Sequence, residues 1–108
     1  MLQPTRHQQI AELLLDLEAV MRNLGLWSQS RPELRALASR EPFCVDTLSF
    51  DEWLQFVFIE RMQVMVEEEQ ALPCKSEIVP MAEEAFRNRR YPKSLIDVLQ
   101  SIDNVLTV

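Results

Sequence analysis

Residues 49–70, SFDEWLQFVFIERMQVMVEEEQ, decide the fold. Ser49-Phe50-Asp51-Glu52 is a capping box: the Ser49 hydroxyl accepts the Glu52 amide, and the Glu52 carboxylate returns to the Ser49 amide. Leu48 and Trp53 stand on either side as a hydrophobic staple. Losing the Ser49 cap costs about 1 kcal/mol. Wound at 3.6 residues per turn, Trp53, Leu54, Phe56, Val57, Phe58, Ile59, Met62, Val64, Met65 and Val66 point in nearly every direction. A helix that is apolar all round is a buried one. The spacing therefore predicts a central helix from Ser49 to about Gln70, stopped soon after by Pro73, with the other helices packed around it.

Upstream, Ile10, Leu13, Leu14, Leu17, Val20, Met21 and Leu24 recur at three- and four-residue intervals and predict a helix from about Thr5 to Leu24. Gly25, the one glycine in the chain, sits at the left-handed position past its end, where Leu26 can fold back on Met21. Pro32 opens a short helix to Ala38. Glu41-Pro42-Phe43-Cys44-Val45-Asp46, within an extended or looping stretch from Ser39 to Leu48, resists helix because residues before proline avoid helical dihedrals.

Downstream, Pro80 opens a helix to about Asn88, with Glu83 and Glu84 early and Arg87, Arg89 and Arg90 at or past its end, as the macrodipole favours. Pro92 opens the last, to about Leu106, with a stripe of Leu95, Val98, Leu99, Ile102, Val105 and Leu106. No strand-pair signal occurs. The fold class is all-α: a compact bundle of four main helices plus one short helix around a buried central helix, forming one domain over residues 1–108.

Composition limits function. The 108 residues carry 17 acids against 11 lysines and arginines, a net charge of −6, which opposes unaided nucleic-acid binding because phosphates must be met by cations. Cys44 and Cys74 have no motif spacing, and the polar opening has no signal-peptide pattern, so the expected compartment is the cytoplasm. No window approaches the roughly 18–20 apolar residues of a membrane span.

The chain resembles the YqcC-like proteins of gammaproteobacteria. Leu26-Trp27, Pro42-Phe43 through Asp46-Thr47, Glu52-Trp53-Leu54-Gln55, Ile59 with Arg61-Met62, Leu72-Pro73 and Ile78 to Pro80 carry the resemblance, which covers nearly the whole sequence. It implies an all-helical fold. A label carried by some members implies an association with tRNA pseudouridine synthase, as its accessory or, under the label itself, as that enzyme.

Catalytic chemistry finds little support in these residues. A pseudouridine synthase needs a nucleophilic aspartate in a basic cleft on a larger mixed α/β scaffold. Asp46, beside Phe43 and a proline, is the aspartate in question; its structural role is to cap local amides or to pair with a buried arginine such as Arg61. His7, the one histidine, falls at or before the first turn and is expected to be solvated, so no Ser/His or Cys/His pair forms. One histidine and two distant cysteines give no zinc spacing. Glu67-Glu68-Glu69 and Glu83-Glu84 splay around helix surfaces. A single glycine permits no phosphate loop. The expectation is no cofactor, no metal and, on balance, no enzyme.

Two groups of residues remain as candidates. Phe43, Asp46, Trp53, Glu60 and Arg61 form a polar junction or a partner site. Glu60 and Arg61 fall by angle among Trp53, Leu54, Phe56 and Val57, where a charge needs a partner; on the structural reading Arg61 ties the helix to a carboxylate or to the 42–47 loop carbonyls, and neutralising it destabilises the fold. Arg87, Arg89, Arg90, Tyr91 and Lys93 form the one basic cluster, able in principle to hold single-stranded RNA by phosphate contacts and stacking. The leading expectation is a non-enzymatic protein-interaction module, bound to an unidentified protein or to itself. RNA is disfavoured by charge and no membrane is involved. The alternative is an accessory of tRNA pseudouridine synthase.

Overall fold

Thr5 opens the first helix by the same reciprocal device that Ser49 uses. Its hydroxyl accepts the Gln8 amide at 3.1 Å, and the Gln8 side-chain oxygen accepts the Thr5 amide at 2.9 Å. Helix α1 follows over Arg6–Asn23. The structure is a computed structural model that describes residues 4–87 and 92–107. At the end of α1 Gly25 takes φ 73°. Its amide donates to the Arg22 carbonyl at 3.1 Å, and the Leu26 amide donates to the Met21 carbonyl at 2.8 Å. These are the two bonds of a Schellman end, which the lone glycine signals.

Helix α2 is one turn, Leu34–Leu37, and a 3₁₀ turn, Pro42–Cys44, follows it in the loop. Helix α3 is continuous from Phe50 to Glu67 but changes register on the way. Phe50–Trp53 is α-helical, Leu54–Ile59 is π-helical, and Glu60–Glu67 is α-helical again. The capping box at Ser49 is present, with 3.3 Å from the Glu52 amide to the hydroxyl and 2.9 Å for the return bond. Helix α4 is Ile78–Ala85 and helix α5 is Lys93–Leu106. Asn88, where the sequence predicts the end of α4, lies outside the described residues.

The central helix is buried over its first half. Phe50, Leu54, Gln55, Val57, Phe58, Ile59 and Met62 are buried, whereas Arg61, Gln63, Val64 and Glu67 face solvent. The π segment explains the change. A π turn inserts one extra residue into the α spiral. Every later side chain is then rotated back by roughly 100°, one residue's turn. Met62 thereby swings into the seam with Phe50 and Leu54, and Arg61 swings out of it.

The core is completed by α1 and α5, which pack most extensively on each other. Ile10, Leu14, Leu17 and Met21 from α1 meet Leu95, Leu99, Ile102 and Leu106 from α5 in one cluster with the buried face of α3. A second, smaller cluster of Cys44, Leu48 and Val57, with Leu37 and Trp53 against it, fixes the loop to α3. The staple pair Leu48 and Trp53 thus does what the sequence assigns to it.

Polar tethers lock these layers. Arg6 donates from Nε to the Val105 carbonyl at 3.1 Å, and from Nη2 to those of Leu106 at 3.1 Å and Pro73 at 3.4 Å. His7 is not freely solvated: it is half-buried, with Nε2 at 2.6 Å from the Gln70 carbonyl. A carbonyl only accepts, so Nε2 carries the proton and donates. Among the described residues no helix is long and apolar enough to cross a membrane.

Helix α4 begins two residues before the proline that the sequence takes as its opening. Its cap comes from elsewhere in the chain. Asp103, on α5, accepts the Ile78 amide at 3.0 Å and the Val79 amide at 2.8 Å, and its Oδ1 also accepts the Ser76 hydroxyl. Pro80 then sits inside the first turn, where a missing amide hydrogen costs nothing.

Candidate functional site

Two segments of strained or irregular backbone meet beside α3. Phe43 has φ 57° and Cys44 φ 50°, a left-handed pair without glycine. Each such residue carries roughly 1–2 kcal/mol of strain. The consequence is local: the Phe43 ring is laid against Trp53, with ring centroids 4.6 Å apart and planes tilted by 59°. Trp53 in turn stacks on Phe58 at 5.6 Å, within the π segment.

These rings line an apolar groove of about 290 Å³, walled further by Val57, Met62, Met65, Pro73 and Ile78. Arg61 and Lys75 stand at its rim. Lys75 reaches Glu77 at 3.1 Å, with both side chains well exposed. Arg61 is exposed and, among the described residues, has no acid partner. The expected polar junction is therefore corrected: Arg61 is neither buried nor tied to the 42–47 loop. Asp46 does not pair with it either; its carboxylate accepts the Ser39 hydroxyl at 2.5 Å on the exposed side of the loop.

Glu60, also expected inside, lies at the surface and holds Arg31 by two bonds of 2.6 and 3.1 Å. The hydrogen bonds to Glu60, and then its charge, raise the Arg31 guanidinium above its ordinary value. Arg31 also lies over the Phe56 ring, 5.5 Å from its centroid. This pair closes one side of an adjoining groove of about 400 Å³ that shares Val57, Arg61 and Met65 with the first. Of the five candidates, then, the structure brings Phe43, Trp53 and Arg61 together and sends Asp46 and Glu60 elsewhere.

The basic cluster shows a different pattern. Arg87 pairs with Glu84 at 3.2 Å, and Lys93 with Asp97 at 2.9 Å, each partner within its own helix or next to it. Arg89, Arg90 and Tyr91 lie outside the described residues. Cys44 is buried, Cys74 is exposed, and both are free thiols. Among the described residues no group of three His, Cys, Asp or Glu side chains could hold a metal ion.

Sequence reasoning missed Met62, Met65 and Lys75 as groove residues, and Gln55 and Asp103 as structural ones. Gln55 is buried and pairs with both backbone groups of Ser28, accepting its amide at 2.8 Å and donating to its carbonyl at 3.0 Å. A signal for both did exist. Asp103 stands three residues before Leu106 and four after Leu99, on the apolar stripe of α5, and Gln55 stands inside the apolar run of α3.

Comparison with known proteins gives the lineage. The model of the DUF446 family, described as "tRNA pseudouridine synthase C", matches residues 9–105. A Haemophilus influenzae protein of uncharacterised function is 39% identical over 97 residues, covering 90% of this chain and 92% of its own. The Escherichia coli protein YqcC is 33% identical over 92 residues, covering 85% of this chain and 84% of its own. A Pectobacterium carotovorum protein named tRNA pseudouridine synthase C is 41% identical over 69 residues; these are 64% of this chain and 18% of that longer one. In three dimensions the solution structure of E. coli YqcC superposes with a TM-score of 0.83 at 29% identity, covering 94% of this chain and 88% of that one. The sequence, the helical bundle and these matches agree: the chain belongs to the DUF446 family, the YqcC-like proteins.

Proposed function

We propose that this protein is a non-enzymatic, cytoplasmic interaction module that docks a partner protein in the Phe43–Trp53 groove. One observation carries the reading. The left-handed pair Phe43-Cys44 and the π segment Leu54–Ile59 are independent departures from relaxed backbone, and both border the same groove. Such departures cost free energy and cluster where something other than stability maintains them. The buried carboxylate of Asp103, the group best placed by burial for acid–base work, has both oxygens engaged as a helix cap. Asp46 is exposed on a turn.

A second reading names the partner: the chain is an accessory of a tRNA pseudouridine synthase. The match inside the longer Pectobacterium protein of that name favours it. A module found within a longer chain works beside the rest of that chain, and as a separate polypeptide it needs a docking surface in place of the covalent link.

Sedimentation velocity of the purified protein mixed with a tRNA pseudouridine synthase from the same cell tests both readings. The expected result is a complex with the wild type and none with Phe43→Asn, because asparagine tolerates the left-handed backbone but removes the ring. A complex that survives this change moves the docking surface elsewhere. Capture of other proteins through the groove, with no synthase complex, retires the accessory reading alone.

A further inference from the structure

The groove has a chemistry narrower than "apolar". At about 290 Å³ it lies at the lower edge of ligand sites, which run from about 300 to 1,000 Å³. It therefore accommodates an anchor of one or two side chains and not a whole cofactor. Its walls are of two kinds. Phe43 and Trp53 offer ring faces; Met62 and Met65 offer unbranched thioethers that repack around whatever enters. That mixture suits a peptide side chain.

The rim adds a sign. Arg22, Arg31, Arg87 and Lys93 each hold an acid at 2.6–3.2 Å. Arg61 holds none among the described residues, and neither do Arg35 and Arg40, but of these three Arg61 is the one that lines the groove, on a chain with six more acids than bases. An arginine left unpaired beside an apolar anchor site complements a carboxylate placed next to an apolar side chain; Lys75, on the same rim, is already held by Glu77 at 3.1 Å. Arginine meets carboxylates through two parallel bonds, which fixes orientation as well as charge.

We propose that the groove binds a short acidic-apolar segment of the partner, an aromatic or aliphatic side chain seated against Phe43, Trp53, Met62 and Met65 with a neighbouring carboxylate on Arg61. This deepens the docking reading and rests on it. A nucleic-acid ligand is disfavoured on the same surface, because it needs several cations in register and the groove rim offers Arg61 and a lysine already paired with Glu77. A second copy of this chain is the competing occupant. Leu15 is 71% exposed on α1, with Glu12 and Asp16 exposed beside it, and a neighbouring copy could offer that face.

The test selects random heptapeptides displayed on phage against the immobilised wild-type protein, with Phe43→Asn and Arg61→Gln as parallel baits. The expected outcome is a wild-type pool enriched in Asp or Glu next to Phe, Leu or Trp. The Phe43→Asn bait enriches none of it. The Arg61→Gln bait keeps the apolar anchor but loses the acid bias, and binds the acidic peptides about tenfold more weakly, the weight of one charge-assisted pair. Selected peptides should also bind more weakly as salt rises. Enrichment of apolar peptides without acids, or unchanged affinity in Arg61→Gln, overturns this proposal and leaves the docking reading intact. No enrichment on the wild type refutes both. Displacement of a bound acidic peptide by single-stranded oligouridylate, or a wild-type dimer in sedimentation that Leu15→Ser dissolves and that blocks peptide capture, assigns the groove to RNA or to a second copy. Circular dichroism of both variants confirms that these exposed or loop positions leave the fold unchanged.

Discussion

Substituting Asp103 by asparagine removes one atom's charge and most of a helix cap. In the wild type Oδ1 serves Ser76 and the Ile78 amide, and Oδ2 accepts the Val79 amide at 2.8 Å. An asparagine keeps one acceptor and turns the other into a donor that faces a donor. The amide left over is buried, since Val79 is 9% exposed, and an orphaned buried N–H costs about 1–3 kcal/mol. Loss of the negative charge at the start of α4 adds about 0.3–1 kcal/mol. Asp103→Asn should therefore destabilise by about 2–3 kcal/mol, and Asp103→Leu, which removes all three bonds, by about 3–5 kcal/mol. In a domain of this size 2–3 kcal/mol lowers Tm by roughly 10–15 °C. Urea titrations followed at 222 nm measure the difference, with Asp97→Asn as the control on the same helix. Asp97 pairs with Lys93 in solvent, and such pairs contribute about 0–1 kcal/mol. Hydrogen exchange at Ile78 and Val79 should accelerate beyond the global change. A loss below about 0.5 kcal/mol for Asp103→Asn, no greater than the control, would refute the cap as the reason α4 starts where it does.

Three further outcomes are expected. Arg61→Met should leave stability within about 0.5 kcal/mol of wild type in the same titration, as surface substitutions do; a larger loss restores the buried ion pair that the sequence implies. Gln55→Leu should cost about 2–3 kcal/mol, because both backbone groups of Ser28 lose their partner, and the urea midpoint should fall with its slope unchanged. Glu69→Gly should raise Tm, adding about 0.5–1 kcal/mol, because Glu69 closes α3 at φ 53° in a Schellman end without its glycine.

Local signals in the sequence were legible and non-local ones were not. Thr5, Gly25 and Ser49 mark helix ends because their partners lie within three or four residues, so spacing alone shows them. The start of α4 is invisible to that reading, since its cap is 25 residues away in the chain for Ile78. The candidate site fared similarly. Phe43 and Trp53 could be picked out from a proline-bent loop and a staple. Winding at a constant 3.6 residues per turn puts Arg61 on the wrong face because it cannot anticipate a π segment. That single register change also hid Met62 and Met65, which a straight helix would have turned elsewhere.

The contacts of Arg6 with the Val105 and Leu106 carbonyls, and of Asp103 with α4, have a consequence for synthesis. The seam that buries Ile10, Leu14, Leu17 and Met21 is completed by α5. At about 5–20 residues per second, translation needs roughly 4–17 s to travel from the end of α1 to the end of α5. Through that interval the α1 stripe has at most the buried face of α3 to pack on, and the Ile78 and Val79 amides, once made, lack their cap until Asp103 follows, so the nascent chain exposes apolar surface of the kind chaperones bind until α5 emerges.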